Sequence, residues 1–198
     1  MYKIKDRDIF IALSFVMGFV VILSNYLVQF PFNYYGLQEI LTYGAFSYPI
    51  AFLITDLTNR KFGKKIARKV VYFGFLIGVI ISIFFSLQQI NLISLRIAIG
   101  SGSAFLVAQL LDVNIFDKLR KKAWYVPPLI SSLISSTVDT LLFFSIAFYG
   151  AKTGWFSLAL GDLCVKILVS IFMLLPFRML MNVINDTSTI ASKSNKIF

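Results

Sequence analysis

Long apolar runs, separated by short charged segments, constrain this chain more than any other feature of its sequence. A helix needs about 20 apolar residues to cross the hydrocarbon core of a bilayer. Runs of about that length recur along the chain. Charged residues make up only 14% of it, against roughly 25% in an ordinary soluble domain, and the mean hydropathy is +0.82. We therefore expect an integral membrane protein.

Six of the runs are long enough to be transmembrane helices, and 198 residues suffice for a single domain. The predicted spans are 9–30, 40–57, 70–87, 94–111, 128–149 and 155–175. Pro127 and Pro128 favour a helix start, whereas Pro49 predicts a kink or break inside the second span. The expected fold is an all-α bundle of six transmembrane helices over residues 1–184. A polar cytoplasmic tail, residues 185–198, follows it.

The basic residues predict the orientation, because cytoplasmic loops of membrane proteins are enriched in Lys and Arg. One side of the membrane would carry Lys3, Lys5, Arg7, Arg60, Lys61, Lys64, Lys65, Arg68, Lys69, Lys118, Arg120, Lys121, Lys122, Arg178, Lys193 and Lys196. The loops on the other side hold only Lys152. This bias predicts an even number of spans with both termini in the cytoplasm.

Composition excludes several kinds of site. The net charge of +10 is explained by basic residues at the membrane edges, so we do not expect a nucleic-acid partner. Cys164 is the single cysteine, and the chain has no histidine. A disulfide within the chain and a zinc or iron–sulfur site are therefore excluded. No cofactor is expected.

Ionisable residues inside a span are costly, about 2.5–3.5 kcal/mol on insertion scales, and so are candidates for function. Five stand out: Asp56, Arg96, Asp139, Asp162 and Lys166. At 1.5 Å per residue, Asp139 lies about 20 Å from the start of its helix and Asp162 about 10 Å from the start of the next. These two helices run in opposite directions, so the two carboxylates are expected at a similar depth.

Each candidate also has a purely structural interpretation. Lys166 follows Asp162 by four residues, so the two can form an ion pair on one helix face. Asp139 has no such neighbour in its own helix, which favours a role toward a ligand. Asp56 and Asp112 lie near the cytoplasmic ends of their spans, where Asp56 could sit among lipid headgroups and Asp112 is expected to be solvated.

Small residues cluster in two of the spans. They are Gly100-Ser101-Gly102-Ser103-Ala104 in the fourth and Ser131, Ser132, Ser135 and Ser136 in the fifth. Small side chains let membrane helices approach closely. We interpret both sets as packing surfaces rather than ligand contacts.

One stretch of sequence resembles a known family. It comprises residues 48–59, YPIAFLITDLTN, followed by Phe62-Gly63-Lys64-Lys65 and Ala67-Arg68. Three further segments agree in order and spacing: Arg96-Ile97-Ala98 with Ser103-Ala104-Phe105 to Gln109, residues 135–140 (SSTVDT), and Gly161-Asp162 with Lys166. Together they resemble the queuosine-precursor transporters over about residues 10–180.

That resemblance implies uptake of a 7-deazaguanine (preQ0, preQ1 or queuine) across the bacterial inner membrane. A carboxylate of Asp139 or Asp162 could accept the two adjacent N–H donors of a guanine-like edge. Gln109 could meet its carbonyl, and an aromatic ring could stack on the base. The substrate-binding residues expected on this basis are Asp139, Asp162, Gln109, Arg96, Lys166, Asp56 and Asn59.

Three other interpretations stay open at this point. The chain could be a substrate-binding membrane subunit that needs a separate ATPase module, or a structural membrane subunit. It could also be an intramembrane aspartyl protease with Asp139 and Asp162 as its dyad. Against the protease, Lys166 would keep Asp162 ionised, and residues 159–162 (ALGD) lack the first glycine of a Gly-x-Gly-Asp pattern. The partners expected are a purine-like small molecule and the bilayer, with a homo-oligomer left open.

Overall fold

The computed structural model describes residues 6–27, 30–34, 41–86, 92–148, 150 and 155–181. The helices in those ranges are α1 Asp6–Leu27, α2 Gly44–Phe62, α3 Lys64–Ser86, α4 Leu92–Leu119, α5 Val126–Ala147 and α6 Trp155–Phe172. Residues 174–181 continue the helical path after Met173. An isolated antiparallel bridge joins Pro31 and Thr42, and the described ranges hold no longer strand. The expected all-α fold of six helices is confirmed.

Two helices extend well past the predicted spans. Helix α2 runs beyond residue 57 to Phe62, and α4 runs beyond residue 111 to Leu119. Helix α2 also continues through Pro49, so a break does not occur there. The apolar runs were limited by polar residues, but a polar residue does not end a helix when its side chain packs inside the bundle. The predicted tail, residues 185–198, lies outside the described residues.

Four stretches in the described part of the chain are long and apolar enough to cross a membrane. They are Phe10–Leu27, Ile99–Leu119, Val126–Ala147 and Trp155–Met181. Helices α2 and α3 carry more charge, because α2 ends with Arg60 and Lys61 and the first turns of α3 hold several lysines and Arg68. Six spans with both termini in the cytoplasm therefore stay a prediction.

The surface of the bundle is apolar and part of its interior is polar, the reverse of a soluble domain. Large apolar side chains are more than 60% exposed at Phe15, Phe19, Phe156, Phe172 and Leu175. Fully buried positions include Thr55, Asn59, Gln109, Asp112 and Ser135. Polar groups turned away from lipid in this way are typical of membrane proteins with an internal site.

Helices α1 and α3 pack closely because glycines face large side chains. A Cβ added at Gly74 would lie 2.3 Å from Met17 Cγ, and one added at Gly78 would lie 2.6 Å from Val21 Cγ1. Met17, Val21 and Val71 belong to one buried apolar cluster with residues of α2 and α4. The two helices therefore form a closely fitted pair.

The ends of α2, α3 and α4 are tied together by polar contacts. Gly63 alone separates α2 from α3, and its φ of +83° is one that glycine adopts readily. The Arg120 guanidinium donates to the carbonyls of Asn59 and Arg60, while Arg60 donates to the Arg120 carbonyl at 3.0 Å. Arg68 on α3 also donates to Asn114 Oδ1 on α4 at 2.7 Å.

Residues 174–181 are held by a second, smaller apolar cluster. Phe177 and Met181 pack against Phe116 of α4, with Leu53 and Leu57 of α2 around them. Phe116 and Phe177 are buried, and their rings meet edge to face with centroids 6.2 Å apart. On α2 and α4 this cluster lies next to the polar residues that the two helices bury.

Candidate functional site

Lys166 of α6 is shared by two carboxylates. Its Nζ lies 2.8 Å from Asp139 Oδ2 of α5 and 2.5 Å from Asp162 Oδ2 of its own helix. It also donates to Thr140 Oγ1 at 3.3 Å, and Thr140 in turn donates to Asp162 Oδ2 at 2.9 Å. We refer to Asp139, Thr140, Asp162 and Lys166 as the lysine cluster.

The lysine cluster forms because local spacing and helix packing coincide. Asp162 and Lys166 are four residues apart, so they project from the same face of α6. Asp139 and Thr140 project from α5 toward that face. An ammonium group has three N–H donors, and all three are used here. Asp139, Thr140 and Lys166 are buried and Asp162 is partly exposed, and two carboxylates with one ammonium have a formal charge of −1.

Three more helices complete the surroundings of the lysine cluster. The ring of Tyr48, on α2, lies with its centroid 5.4 Å from Lys166 Nζ, within the range of a cation–π contact. Its hydroxyl is hydrogen-bonded to Ser101 Oγ of α4 at 2.7 Å. Ser101 also donates to Asn25 Oδ1 of α1 at 3.4 Å. The Tyr48 ring and a series of hydrogen bonds from Tyr48 through Ser101 to Asn25 therefore lie opposite the charged groups.

A small cavity lies against these residues. Its volume is about 30 Å³, and its lining consists of Thr42, Gly44, Ala45, Tyr48, Ser101, Asp139, Phe143, Asp162 and Lys166. Pockets for drug-sized ligands measure roughly 300–1,000 Å³, and a single water takes up about 30 Å³ of the liquid. In this conformation the cavity has room for water but not for a bicyclic base.

A second set of buried polar residues lies between α2, α4 and α5. The carboxyl of Asp56 lies next to the carboxyl of Asp112, and the hydroxyl of Ser131 lies beside both. We refer to Asp56 and Asp112 as the carboxyl pair. Asp56 follows Tyr48 by eight residues, and Asp139 follows Ser131 by eight, so the pair is about 12 Å from the lysine cluster along both helices.

The prediction that Asp112 is solvated is wrong, because its side chain is fully buried. The apolar run was taken to end at residue 111, but α4 continues for two more turns and carries Asp112 inward. The burial of Asp112 could have been predicted from the spacing of the polar residues on α2 and α4. Asp112 follows Gln109 by three residues, as Asn59 follows Asp56, so each of the two helices presents a polar stripe to the other.

The structure brings only some of the predicted site residues together. Asp139, Asp162 and Lys166 meet in the lysine cluster. Gln109 lies nearer the carboxyl pair, where its Oε1 accepts from Thr55 at 2.6 Å, and Asn59 donates to the Val113 carbonyl at 3.0 Å.

Arg96 lies elsewhere on α4, outside the cavity lining, and donates to the Ile146 carbonyl at 3.4 Å. Sequence reasoning did not assign Tyr48 or Thr140 to the site, and it interpreted Ser101, which lines the cavity, as a packing residue. Tyr48 lies in the stretch that resembles the family. In a chain this rich in aromatic residues, however, the sequence does not indicate which tyrosine lies at the site.

Comparison with known proteins decides the family. The sequence model described as "Putative vitamin uptake transporter" matches residues 42–181, well over half of the chain. This chain belongs to that vitamin uptake transporter family. Both the lysine cluster and the carboxyl pair lie within the matched residues, and the resemblance predicted from sequence motifs is confirmed.

Three known proteins are similar to the chain over most of its length. The chain is 38% identical to the queuosine precursor transporter of Escherichia coli (strain K12), over 83% of each chain. It is 35% identical to a probable queuosine precursor transporter of Haemophilus influenzae, over 91% of this chain and 89% of the relative. A probable queuosine precursor transporter of Bacillus subtilis is 26% identical, over 80% of this chain and 78% of the relative. No solved structure matches the chain.

Membership in this family makes the chain a transporter and not an enzyme, so the protease interpretation falls away. It is a multi-pass protein of the bacterial inner membrane that carries a small molecule. Lys166 supplies the physical reason why Asp139 and Asp162 are no protease dyad. Its ammonium group lies between the two carboxyl groups and contacts both, whereas the carboxyl groups of a protease dyad share a proton directly.

Proposed function

We propose that this chain imports a queuosine precursor, a 7-deazaguanine base, and binds it at the lysine cluster. The observation that carries the proposal is the position of two carboxylates, Asp139 buried and Asp162 partly exposed, and a tyrosine ring around one cavity. The names of the relatives that are 35–38% identical supply the substrate class.

The chemistry of the lysine cluster suits such a base. A guanine-like edge offers two adjacent N–H donors, and a carboxylate accepts both in a bidentate pair of charge-assisted bonds. Asp139 and Asp162 each have a second oxygen beyond the one that contacts Lys166. The rings of Tyr48 and Phe143 line the same cavity and offer faces for stacking. A net charge of −1 further favours a ligand that brings donors or a positive group.

The volume of the cavity indicates which step of transport this conformation resembles. A base cannot enter about 30 Å³, so α2 must separate from α4, α5 and α6 before it binds. Sites near the bilayer midplane that open to one side at a time are the usual arrangement in secondary transporters. We assign this conformation to a closed state.

The remaining parts of the proposal concern topology and partners. We infer six spans in one domain of residues 1–184, with both termini in the cytoplasm, from the bias of Lys and Arg to one side of the membrane. The proposed partners are the base and the bilayer, without nucleic acid, and a homo-oligomer is compatible with them. Within the predicted site set, Gln109, Arg96, Asp56 and Asn59 are farther from the base than the lysine cluster.

Uptake by cells that cannot make queuosine tests the proposal. Labelled preQ0, preQ1 and queuine are offered to such cells with and without this chain. We expect saturable uptake of at least one base, and Asp139→Asn should weaken it about tenfold to a hundredfold. A hydrogen bond to a charged group is worth about 1.5–3 kcal/mol, which sets that range. The variant keeps the Lys166–Asp162 ion pair and should still reach the membrane.

Asp117→Asn is the matched control, because it makes the same chemical change at a partly exposed residue. Its Oδ1 lies 4.0 Å from the guanidinium of Arg120. Its uptake should equal that of the unchanged chain. Reduced amounts of the Asp139→Asn protein, with normal uptake per molecule, would support a structural subunit instead. Repeating the assay with purified chain in lipid vesicles tests the ATPase-dependent alternative, because no second subunit is then present.

A further inference from the structure

The carboxyl pair has unmet hydrogen-bonding capacity. Asp56 is 2% exposed and Asp112 is 0% exposed. Asp56 Oδ1 and both side-chain oxygens of Asp112 receive no well-formed hydrogen bond from any residue that the structure describes. A buried acceptor without a donor is costly, and each such group in a native protein calls for an explanation.

A neighbouring amide adds a fourth acceptor. Asn59 is fully buried and uses its Nδ2 to donate to the carbonyl of Val113, the residue directly after Asp112. The Asn59 side chain is thereby held beside the carboxyl pair, and its Oδ1 has no partner among the described residues. These four atoms are oxygens that accept, so each calls for a donor, a proton or a cation.

The basic groups nearest the carboxyl pair are engaged elsewhere. Arg60 of α2 donates to the Arg120 carbonyl, and Arg120, directly after α4, donates to carbonyls of α2. Arg68 of α3 donates to Asn114. Helix α5 contributes the hydroxyl of Ser131, and Asp139 and Lys166 are about 12 Å away. In the described part of the chain, neither Asp56 nor Asp112 forms an ion pair.

The two buried clusters therefore differ in charge balance. The lysine cluster contains its own cation, whereas the carboxyl pair contains none. Two carboxylates in contact inside a protein cannot both stay ionised, because neither water nor a counter-ion offsets their repulsion. A proton or a cation shared between the two carboxyl groups would offset that repulsion.

We propose that Asp56 and Asp112, with Asn59 and Ser131 beside them, form a cation site that couples transport to a gradient of protons or sodium ions. The inference rests on the proposed function. Occupied, the site lets α2 close against α4 and α5. Empty, the two carboxylates repel and hold those helices apart. The same helices carry Tyr48, Ser101 and Asp139, so opening at the cation site also opens the cavity of the lysine cluster.

The test uses purified full-length chain in lipid vesicles loaded with unlabelled base. Two activities are compared: exchange of labelled base at equal concentrations, and accumulation driven by an imposed gradient. The unchanged chain should accumulate base under a pH gradient without sodium, or under a sodium gradient at equal pH. Whichever gradient works identifies the cation. Asp112→Asn should keep exchange within about twofold while its accumulation ratio falls to one.

Two further proteins make the result decisive. Asp56→Asn repeats the experiment from the other side of the pair, in case Asp112→Asn does not fold. Asp117→Asn, again the control, should accumulate base like the unchanged chain. Full accumulation by both Asp56→Asn and Asp112→Asn would overturn the cation site. So would an unchanged chain that exchanges base but responds to neither gradient.

A substrate-free measurement separates this inference from the proposed function. If the unchanged chain exchanges none of the three bases, the proposed substrate is wrong and the cation site is still testable by thermal unfolding in detergent. The melting temperature of the unchanged chain should vary with sodium concentration or with pH. That dependence should disappear in Asp112→Asn. An equal dependence in both proteins would overturn the cation site.

Discussion

At the scale of single residues, Lys166 has several polar partners among the residues that the structure describes. It is 4% exposed, contacts two carboxylates and a hydroxyl, and lies over the ring of Tyr48. Removing one partner of a buried ion pair leaves an uncompensated charge, which costs more than the pair itself contributes. Lys166 should therefore matter for stability as well as for binding.

Replacing Lys166 by methionine tests this. The side chain keeps its length but loses its charge, so Asp139 and Asp162 are left facing each other. We expect Lys166→Met to lower the free energy of unfolding by about 3–5 kcal/mol, measured by denaturant or thermal unfolding in detergent. Lys118→Met, at an exposed position of α4, should change it by less than about 0.5 kcal/mol.

A second replacement checks the cause. Adding Asp162→Asn to Lys166→Met removes one of the two repelling charges and should recover part of the lost stability. If the double variant is no more stable than Lys166→Met alone, repulsion between the carboxylates is not what destabilises it.

How far the sequence predicts the site depends on the range of each contact. The Asp162–Lys166 ion pair follows from a spacing of four residues on one helix, so it was predictable, and it is confirmed. The partnership of Asp139 with Lys166 was not, because it depends on how α5 and α6 pack. Their similar depth, argued from rise per residue, is confirmed by the shared ammonium group.

At the scale of helices, small residues have two different roles. Gly100 packs against the backbone of α5, since a Cβ added there would lie 3.4 Å from Ala147 N, as the packing interpretation expects. Its neighbour Ser101 instead lines the cavity. The closest approach involves Gly18 of α1 with Gly74 and Gly78 of α3, whose Gly-x-x-x-Gly spacing is a packing signal that the sequence interpretation missed.

That approach makes Gly74 sensitive to substitution. In Gly74→Ala the new methyl group would meet Met17 at both Cβ and Cγ, so the two helices must shift apart. Overpacking of this kind typically costs about 1–3 kcal/mol. Thermal unfolding in detergent should show a lower melting temperature for this variant.

Gly102→Ala is the matched control, because a Cβ there meets only Phe75 at 3.6 Å, an ordinary contact. Alanine also favours a helix by about 0.5–1 kcal/mol over glycine. This variant should be as stable as the unchanged chain or more so. If the two variants melt alike, the α1–α3 contact does not limit the packing of the bundle.

At the scale of the whole molecule, the sequence predicts more than a bundle of helices, because the distribution of Lys and Arg orients the chain. It predicts the number of helices correctly, whereas their lengths come out short at α2 and α4. Apolar runs in the sequence indicate which helical residues face lipid. They miss helical residues whose polar side chains face one another, and those are the residues of the carboxyl pair.

The proposed orientation can be measured by labelling single cysteines. In a Cys164→Ser background, Lys121→Cys and Lys152→Cys are exposed in turn to a maleimide that does not cross membranes. We expect label at position 152 in intact cells, and at position 121 only after the membrane is opened. The reverse pattern, or label at both positions in intact cells, would contradict six spans with cytoplasmic termini.

Gly63 has a mechanical consequence. A single residue spans about 3.8 Å between neighbouring Cα atoms, so α2 cannot move far without drawing α3 with it. The glycine contacts then bring α1 along. We therefore expect two moving halves, α1–α3 and α4–α6. Tyr48 and Asp56 belong to the first, and their charged partners Lys166 and Asp112 belong to the second. A rocking motion between the halves would open and close both polar clusters in one stroke.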